Sequence, residues 1–469
     1  MESGQVRGAV SERSMSAADA GTEPLSGRQT AVVLSFLAAV LAALLLLQPG
    51  GGSGGGSSSS GESFPRAPVP SAVAAELDSS DTDSLALSGS DSLPEPWSQP
   101  RGSAAGNAFW GPDVSGPFDT LWEIRTGYEL FSAPAMLDGV LYFGCNDSRF
   151  RAVSAADGRA VWAFPVQCGI SGEAAVDSQH VYFGGQDGYL YCLDRQSGAQ
   201  LWKAGLGYHI LSDAALLADS LVLAGNSRGG VAAIATGDGE VVWSDNLGGL
   251  VLGAAVTDSL AVVSTEGGRI AAYGFDGTTS WRRDLGHQAS QPSAAGGRVL
   301  VGLSNGTVRC LSLADGSDLW AADLQSGGYR AVVGRPVVRE GRVLSGTSHS
   351  RVACMSLEDG SVLWNREMEN WVQVPPSVGD SLVYVSCDDK RLHVLSLTDG
   401  SSVDSLEMGS YSGTAPTIAG GVVYLGTAGG TMSALRGTVP QPPDTASADG
   451  AETAAETVPP DSAGGGAGL

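Results

Sequence analysis

Two pentapeptides have the spacing of a nucleophilic serine. Gly225-Asn-Ser-Arg-Gly229 and Gly302-Leu-Ser-Asn-Gly306 both match G-x-S-x-G. That pattern exposes a reactive serine only where a strand enters the turn and a helix leaves it. Both matches lie between two short apolar runs, at equivalent positions of a repeat. We therefore interpret them as hairpin turns and predict no catalytic residue and no enzyme activity.

Metal and phosphate chemistry is also disfavoured by the sequence. No histidine pair has the spacing of a zinc protease, and the chain lacks a glycine-rich phosphate loop. We predict no metal ligand and no cofactor. The five histidines fall in different repeat units: His180, His209, His287, His349 and His393.

The six cysteines divide into two groups. Cys192, Cys310 and Cys354 occupy one position of the repeat, where other units have valine or alanine, so we expect small buried side chains. Cys145 and Cys168 fall in two loops predicted to share a face. Two alternatives stay open for this pair: free thiols, or a disulfide that would form outside the cytoplasm.

A repeat of about 40 residues organises most of the chain. In six units a glycine is followed four residues later by tryptophan. Trp122 occupies the same slot one unit earlier, and Asp404 stands where the next tryptophan is due. The members of the pattern are Gly158, Gly198, Gly239, Gly277, Gly316, Gly360 and Gly400, with Trp122, Trp162, Trp202, Trp243, Trp281, Trp320 and Trp364.

Each unit contains four short apolar runs separated by turn dipeptides such as Asp187-Gly188. Four antiparallel strands repeated at this period predict an all-β, eight-bladed β-propeller. The eighth unit has only three strands, so we expect residues 118–126 to complete it. The recurrent tryptophan on the outer strand is expected to lie across the neighbouring blade and dock it, whereas a ring of ligand-stacking tryptophans is disfavoured.

Composition supports this class. Glycine supplies 67 of 469 residues, hydrophobic residues 42% and charged residues 16%. Such values exclude a wholly disordered chain and a long coiled coil. The net charge of −24 disfavours nucleic acid as a partner. Both a saline habitat and a high-GC genome fit the scarcity of lysine.

One apolar run, Thr30–Leu47, is just long enough to span a bilayer, and basic residues precede it. The pattern favours an uncleaved signal anchor over a cleaved signal peptide. Either would place the propeller outside the cytoplasm, as in a periplasm. The predicted segments are a cytoplasmic N-terminus (1–29), a transmembrane helix (30–48), a disordered linker (49–110), the propeller (111–436) and a disordered acidic tail (437–469).

Three stretches carry a family resemblance: YLYCLDRQSGAQLW (189–202), TVRCLSLADGSDLW (307–320) and RVACMSLEDGSVLW (351–364). They resemble the PQQ-type propeller repeat. The resemblance implies either a quinoprotein dehydrogenase or a non-enzymatic, BamB-like assembly factor. The first branch uses adjacent cysteines against the quinone and Glu, Asn and Asp around calcium, and no two cysteines here are adjacent. The second branch implies a protein-binding scaffold in envelope assembly, although its lipid-attachment cysteine is missing here.

Loops that follow the tryptophan strands carry aromatic side chains, which suit protein contact where they gather around the central channel. The alternative is that they pack beneath the loops. Residues 269–351 also contain ten arginines against six acids, which could bind an acidic partner or be ordinary solvated side chains. Among the loops that could bind a partner, we rank first the one that contains Tyr329, Arg330 and Arg335. The full candidate face is Tyr128, Tyr208, His287, Tyr329, Arg330, Arg335, Trp371 and Tyr411.

The sequence thus predicts a monomeric, membrane-tethered propeller that binds protein partners. A ligand-sensing propeller and a diverged quinoprotein dehydrogenase remain the alternatives.

Overall fold

The middle strands of most blades are runs of five or six residues rich in valine, leucine, tyrosine and alanine, and many of the turns between strands contain glycine. The structure, a computed structural model, describes residues 113–438 apart from 219, 325–333 and 412. The predicted N-terminus, transmembrane helix and linker lie outside the described residues, as does the tail from residue 439. Within the described part, no helix is long and apolar enough to cross a membrane.

The described residues form eight four-stranded antiparallel sheets, which confirms the predicted eight-bladed propeller. The first strand of each blade is the innermost. Blades 1 to 4 consist of β2 (Ala135–Leu137), β3 (Val140–Cys145), β4 (Arg149–Ser154) and β5 (Ala160–Pro165); β6 (Ala175–Val176), β7 (His180–Gly184), β8 (Tyr189–Asp194) and β9 (Gln200–Gly205); β10 (Ala215–Leu217), β11 (Leu221–Gly225), β12 (Gly230–Ala235) and β13 (Val241–Asn246); and β14 (Val251–Val256), β15 (Leu260–Thr265), β16 (Arg269–Gly274) and β17 (Thr279–Asp284).

Blades 5 to 7 consist of β18 (Ser293–Ala295), β19 (Arg298–Gly302), β20 (Thr307–Ser312) and β21 (Asp318–Asp323); β22 (Val337–Arg339), β23 (Arg342–Thr347), β24 (Arg351–Ser356) and β25 (Val362–Glu367); and β26 (Ser377–Val378), β27 (Leu382–Cys387), β28 (Arg391–Ser396) and β29 (Ser402–Glu407). Blade 8 consists of β30 (Thr417–Ala419), β31 (Val422–Gly426) and β32 (Thr431–Thr438), with β1 (Ser115–Arg125) as its outer strand.

The ring closes through the N-terminal strand. β1 pairs antiparallel with β32, from Ser115 opposite Thr438 to Arg125 opposite Thr431. The outer strand of the last blade is therefore the first strand of the chain, as the incomplete eighth repeat predicts. Closure of this kind removes the exposed sheet edge that an open array would carry. The last strand ends at Thr438, slightly beyond the predicted boundary at residue 436.

The inner strands of each blade are buried on both faces, because each sheet packs against the sheets on either side, whereas an outer strand such as β13 keeps exposed positions. In blade 7 every residue of β27 is buried. One apolar cluster joins Tyr182 and Trp202 of blade 2 to Leu216 and Val222 of blade 3, and similar clusters fill the other interfaces. This two-sided burial explains why charged residues are scarce in the strand sequences.

A β-bulge precedes the tryptophan in the outer strand of every blade that has one. In blade 3, Ala233 is opposite Trp243 while Ile234 is opposite Val241, which leaves Val242 as the extra residue. The same shift recurs at each tryptophan slot. The extra residue faces outward, and Val242 is 55% exposed. A bulge re-aims the side chain that follows it, here the tryptophan.

Each tryptophan docks on the glycine turn of the next blade. Trp162 lies on Gly198, whose φ is 70° and whose missing Cβ would be 2.6 Å from the indole ring. Its Nε1 donates a hydrogen bond to the Arg195 carbonyl oxygen of that blade at 2.9 Å. All seven tryptophans make this bond, at 2.8–3.0 Å, and each lies over the glycine of the following unit.

The interface between blades 7 and 8 lacks the tryptophan and is joined differently. Asp404 occupies the slot and lies against Gly116. The buried Asp113 carboxylate accepts hydrogen bonds from Ser381 N at 2.6 Å, Ser381 Oγ at 2.5 Å and Leu382 N at 3.2 Å. Tyr384 donates to the Val114 carbonyl oxygen at 2.8 Å. The residues just before β1 thus fasten the last blade to the seventh.

We expect Trp202→Ala to lower the free energy of unfolding by about 3–5 kcal/mol, because it removes a large buried ring and leaves a cavity. The variant also loses the 2.8 Å bond from Trp202 Nε1 to the Thr236 carbonyl oxygen. Denaturant unfolding followed by circular dichroism measures the effect. Leu201→Ala, at the exposed bulge position beside it, is the matched control and should cost less than about 1 kcal/mol. Equal losses in the two variants would contradict the docking role.

Candidate interaction face and central channel

Two kinds of loop share one face of the ring. The hairpins between second and third strands contact the loops that lead from each outer strand to the next blade. Asn146 N donates to the Glu129 carbonyl oxygen at 3.4 Å, and Val166 N donates to that of Ser148 at 3.0 Å. Ile170 N donates to the Cys145 carbonyl oxygen at 3.3 Å. We call this side, formed by both kinds of loop, the hairpin face.

The predicted aromatic positions that the structure describes all lie on the hairpin face. Tyr128 is 59% exposed and Tyr208 is 47% exposed. His287 is also exposed, while Trp371 and Tyr411 are partly buried. The Arg228 guanidinium lies 5.0 Å from the centre of the Tyr208 ring. Tyr329 and Arg330, which the sequence ranks first, lie outside the described residues.

Three of these aromatic loops adjoin around blades 7, 8 and 1. The Trp371 carbonyl oxygen accepts from Asp388 N at 2.9 Å, and the Tyr411 carbonyl oxygen accepts from Ala428 N at 3.1 Å. Burial raises the pKa of Tyr411, and the nearby carboxylates of Glu129 and Asp388 raise it further. The face here carries aromatic rings, a residue type enriched at protein interfaces, beside acidic groups.

Arg335 does not belong to this face, so its predicted surface role is wrong. Its side chain is 2% exposed and lies in the central channel. Nη1 lies 3.1 Å from Oε1 of Gln291 in the loop before β18 and 3.6 Å from Oδ2 of Asp213 in the loop before β10. Nη2 donates to the Ala254 carbonyl oxygen at 3.4 Å. One arginine from blade 6 therefore bridges blades 3, 4 and 5.

In blades 2, 3, 5 and 6 the polar side chains of the channel occupy one repeat position, two residues before the innermost strand begins to pair. Glu173 and Asp213 fill it in blades 2 and 3, and both are nearly inaccessible. Asp213 Oδ1 accepts from Glu173 N at 3.0 Å. Repeat alignment could have found these residues, because charged side chains at a strand start facing the ring axis are unusual.

Three arginines of residues 269–351 pair with acids of adjacent blades while their side chains stay partly exposed. Arg282 pairs with Asp245 of the preceding blade. Arg283 lies 2.8 Å from Asp318, and Arg339 lies 3.0 Å from Asp380 of the following blade. Asp245 and Asp380 lie outside this stretch of sequence, so neighbouring blades supply some of the acids that it lacks, whereas Asp318 lies within it. A count along the chain could not show this pairing, because the partners are about 40 residues apart.

The cysteines are free thiols in the structure. Cys192, Cys310 and Cys354 are fully buried, and burial raises the pKa of the Cys310 and Cys354 thiols to about 11. Cys145 and Cys168 lie in adjoining loops of the hairpin face but are not bonded to each other. Cys145 Sγ lies 3.6 Å from the Tyr128 carbonyl oxygen, and Cys168 Sγ accepts from Asp187 N at 3.1 Å.

The sequence interpretation also missed a cluster in the hairpin of blade 7. Cys387, Asp389 and His393 place their ligand-type atoms within 4.8 Å of one another. The signal was the spacing Cys-x-Asp-x₃-His across a tight hairpin, which places His393 opposite Val385, two residues before Cys387.

Comparison with known proteins decides the family. The family model described as outer membrane protein assembly factor BamB matches residues 119–208 and 186–406, more than half of the chain. The chain belongs to this family. BamB of Yersinia pestis is 25% identical over 183 residues, which cover 34% of this chain and 47% of that protein.

Other relatives of the family's fold are enzymes. The dehydrogenase subunit of a quinone-dependent alcohol dehydrogenase from Gluconacetobacter polyoxogenes is 31% identical over 137 residues, which cover 24% of this chain and 19% of that one. The matched part of this chain thus covers about half or less of the length of these relatives.

Solved structures share the fold. BamB from Moraxella catarrhalis superposes with a TM-score of 0.58 at 16% identity, covering 68% of this chain and 99% of that one. A quinohemoprotein alcohol dehydrogenase from Pseudomonas putida HK5 gives 0.62 at 13% identity, covering 74% and 81%.

The residues of this chain do not fit a quinone site of the dehydrogenase type. The sequence has no adjacent cysteines. Among the described residues, the buried Asp213 carboxylate already faces the Arg335 guanidinium, a cation that competes with a metal ion for its oxygens. The sequence therefore lacks the thiol pair that the resemblance implies for that branch, and this channel carboxylate is already paired with a cation.

We expect Arg335→Met to destabilise the propeller by about 3–5 kcal/mol, because it leaves the Asp213 carboxylate buried without its cation. Adding Asp213→Asn should recover part of the loss. Melting temperature measures both effects, and Arg228→Met, which removes an exposed arginine, should change it little. A wild-type melting temperature in Arg335→Met would show that the channel pair is not structural.

Proposed function

We propose that this protein is a non-catalytic scaffold that binds protein partners on its hairpin face outside the cytoplasm. The observation that carries the proposal is the set of exposed aromatic side chains held there by a closed ring. Tyr128 and Tyr208 are large, amphipathic and fixed at loop bases that bond to the neighbouring hairpins. Such side chains contribute strongly to protein interfaces, since little conformational entropy is lost when they bind.

The partners we propose are envelope proteins undergoing assembly. The family model and the matched relative from Yersinia pestis are both described as outer membrane protein assembly factor BamB, and that description supports the partner class. The predicted segment 30–48 would tether the propeller to a membrane, and the linker 49–110 would set its reach. A flexible chain of that length spans roughly 40–45 Å on average.

A diverged quinoprotein dehydrogenase is the second candidate, favoured by the 31% identity to the dehydrogenase subunit. Pyrroloquinoline quinone added with calcium separates the two. The scaffold proposal expects no change in melting temperature, because the channel is occupied by Arg335 and its partners. A concentration-dependent rise together with dye-linked alcohol oxidation would overturn the non-catalytic assignment.

The interaction face is tested by site-specific photocrosslinking in membranes of the source cell. A photoreactive residue placed at Tyr128, Tyr208 or His287 should yield crosslinked protein partners, because these positions are exposed on the hairpin face. The matched controls carry the same probe at Val161, Val242 and Leu319, which are equally exposed at the outer bulges. Partners captured equally from both sets, or only from the controls, would contradict the proposed face.

A further inference from the structure

The β27–β28 hairpin of blade 7 brings together a thiol, an imidazole and a carboxylate. Cys387 ends β27, Asp389 lies in the turn and His393 lies in β28. His393 Nε2 donates to Asp389 Oδ2 at 2.7 Å. Cys387 Sγ lies 3.3 Å from the Asn370 carbonyl oxygen. All three ligand-type atoms fall within 4.8 Å of one another.

The cluster is buried and its surroundings are acidic. Cys387 is inaccessible, and the side chains of His393 and Asp389 are 11% and 8% exposed. A second carboxylate, that of Asp388, follows Cys387 directly in the turn and accepts a hydrogen bond from Gln373 Nε2. The neighbouring Arg391 directs its guanidinium to Ser405 Oγ at 2.7 Å. A bound dication would therefore find carboxylate charge that no nearby arginine is shown to neutralise.

Blade 1 shows how the same slot is filled when no metal is needed. There Cys145, Asp147 and Arg151 take the positions of Cys387, Asp389 and His393. The Arg151 guanidinium binds both carboxylate oxygens of Asp147, with Nη1 at 2.9 Å from Oδ1. Blade 7 replaces that permanent cation by an imidazole. Blade 1 therefore holds an ion pair between Arg151 and Asp147, whereas blade 7 holds three side chains that can each bind a metal ion.

We propose that Cys387, Asp389 and His393 bind a zinc ion. Thiolate, imidazole and carboxylate are the donors that zinc prefers, and three protein ligands leave one position for water. The ion would take the place of the proton shared by His393 Nε2 and Asp389 Oδ2, and the Cys387 thiol would release its proton as the zinc–sulfur bond forms. Bonds of about 2.0–2.3 Å require donors roughly 3.3–3.8 Å apart, which small side-chain rotations supply.

Cobalt titration of the reduced full-length protein tests the site, because a cysteine–cobalt bond gives a thiolate charge-transfer band. We expect the band to saturate at one cobalt per chain and to disappear when zinc is added. Cys387→Ser should abolish the band, and Cys168→Ser, which removes the partly exposed thiol, should leave it unchanged. Absence of a saturable band in the wild type, or its persistence in Cys387→Ser, would overturn the proposal.

The repeat supplies a matched pair of controls. His393→Arg recreates the donor set of blade 1, so it should lose the cobalt band while keeping the wild-type melting temperature without metal. Arg151→His creates in blade 1 the donor set of blade 7, and it should add a second cobalt equivalent. A His393→Arg variant that binds as the wild type does would contradict the assignment of the ligands. None of these readouts depends on the proposed interaction face.

Discussion

The propeller is held together by one repeated contact, in which the indole of a tryptophan docks on the glycine turn of the next blade. Each contact combines the burial of a large apolar ring with a bond from Nε1 to a carbonyl oxygen of the neighbouring blade. It also demands a residue without Cβ at a positive φ, which is why glycine recurs there. Seven such contacts fix the blades at one spacing, and the hairpin face inherits its rigidity from them.

The eighth interface shows what the docking contact requires. Without a tryptophan, blades 7 and 8 rely on the buried Asp113 carboxylate and the Tyr384 hydroxyl, which bind backbone groups across the interface. Each of these polar bonds joins blade 7 to Asp113 or Val114, which precede the first strand, and apolar side chains such as Ile418 and Leu435 pack in the same cluster. Because the bonded residues are about 270 positions apart in the chain, forming this interface carries a large loop-closure entropy.

Sequence reasoning could predict the fold because its signals are local and repeated. The glycine–tryptophan spacing, the turn dipeptides and the incomplete eighth repeat together give the number of blades and the strand that closes the ring. The bulge beside Val242 was missed because a single extra residue leaves no mark on an apolar pattern. The burial of Arg335 was missed because its partners come from three other blades, which the order of the chain does not bring together.

The charged residues also depend on contacts that the order of the chain does not show. Arg282, Arg283 and Arg339 give their stretch of sequence a basic balance, yet in the ring they meet Asp245, Asp318 and Asp380 of adjacent blades. Asp245 and Asp380 lie outside that stretch and Asp318 within it, so pairing across blades offsets part of the excess that a count along the chain gives. Of the aromatic positions, Tyr128 and Tyr208 are exposed while Trp371 and Tyr411 are partly buried, and their role as an interaction face stays a prediction.

The pairing of Ser115 with Thr438 has a mechanical consequence. Both ends of the ring leave from the same edge of blade 8, and the closing strands run antiparallel from that point. A force pulling the two ends apart would break the β1–β32 hydrogen bonds one after another, as a zipper opens. A force between the N-terminal end and a partner held elsewhere on the ring would instead run along β1 and load those bonds together.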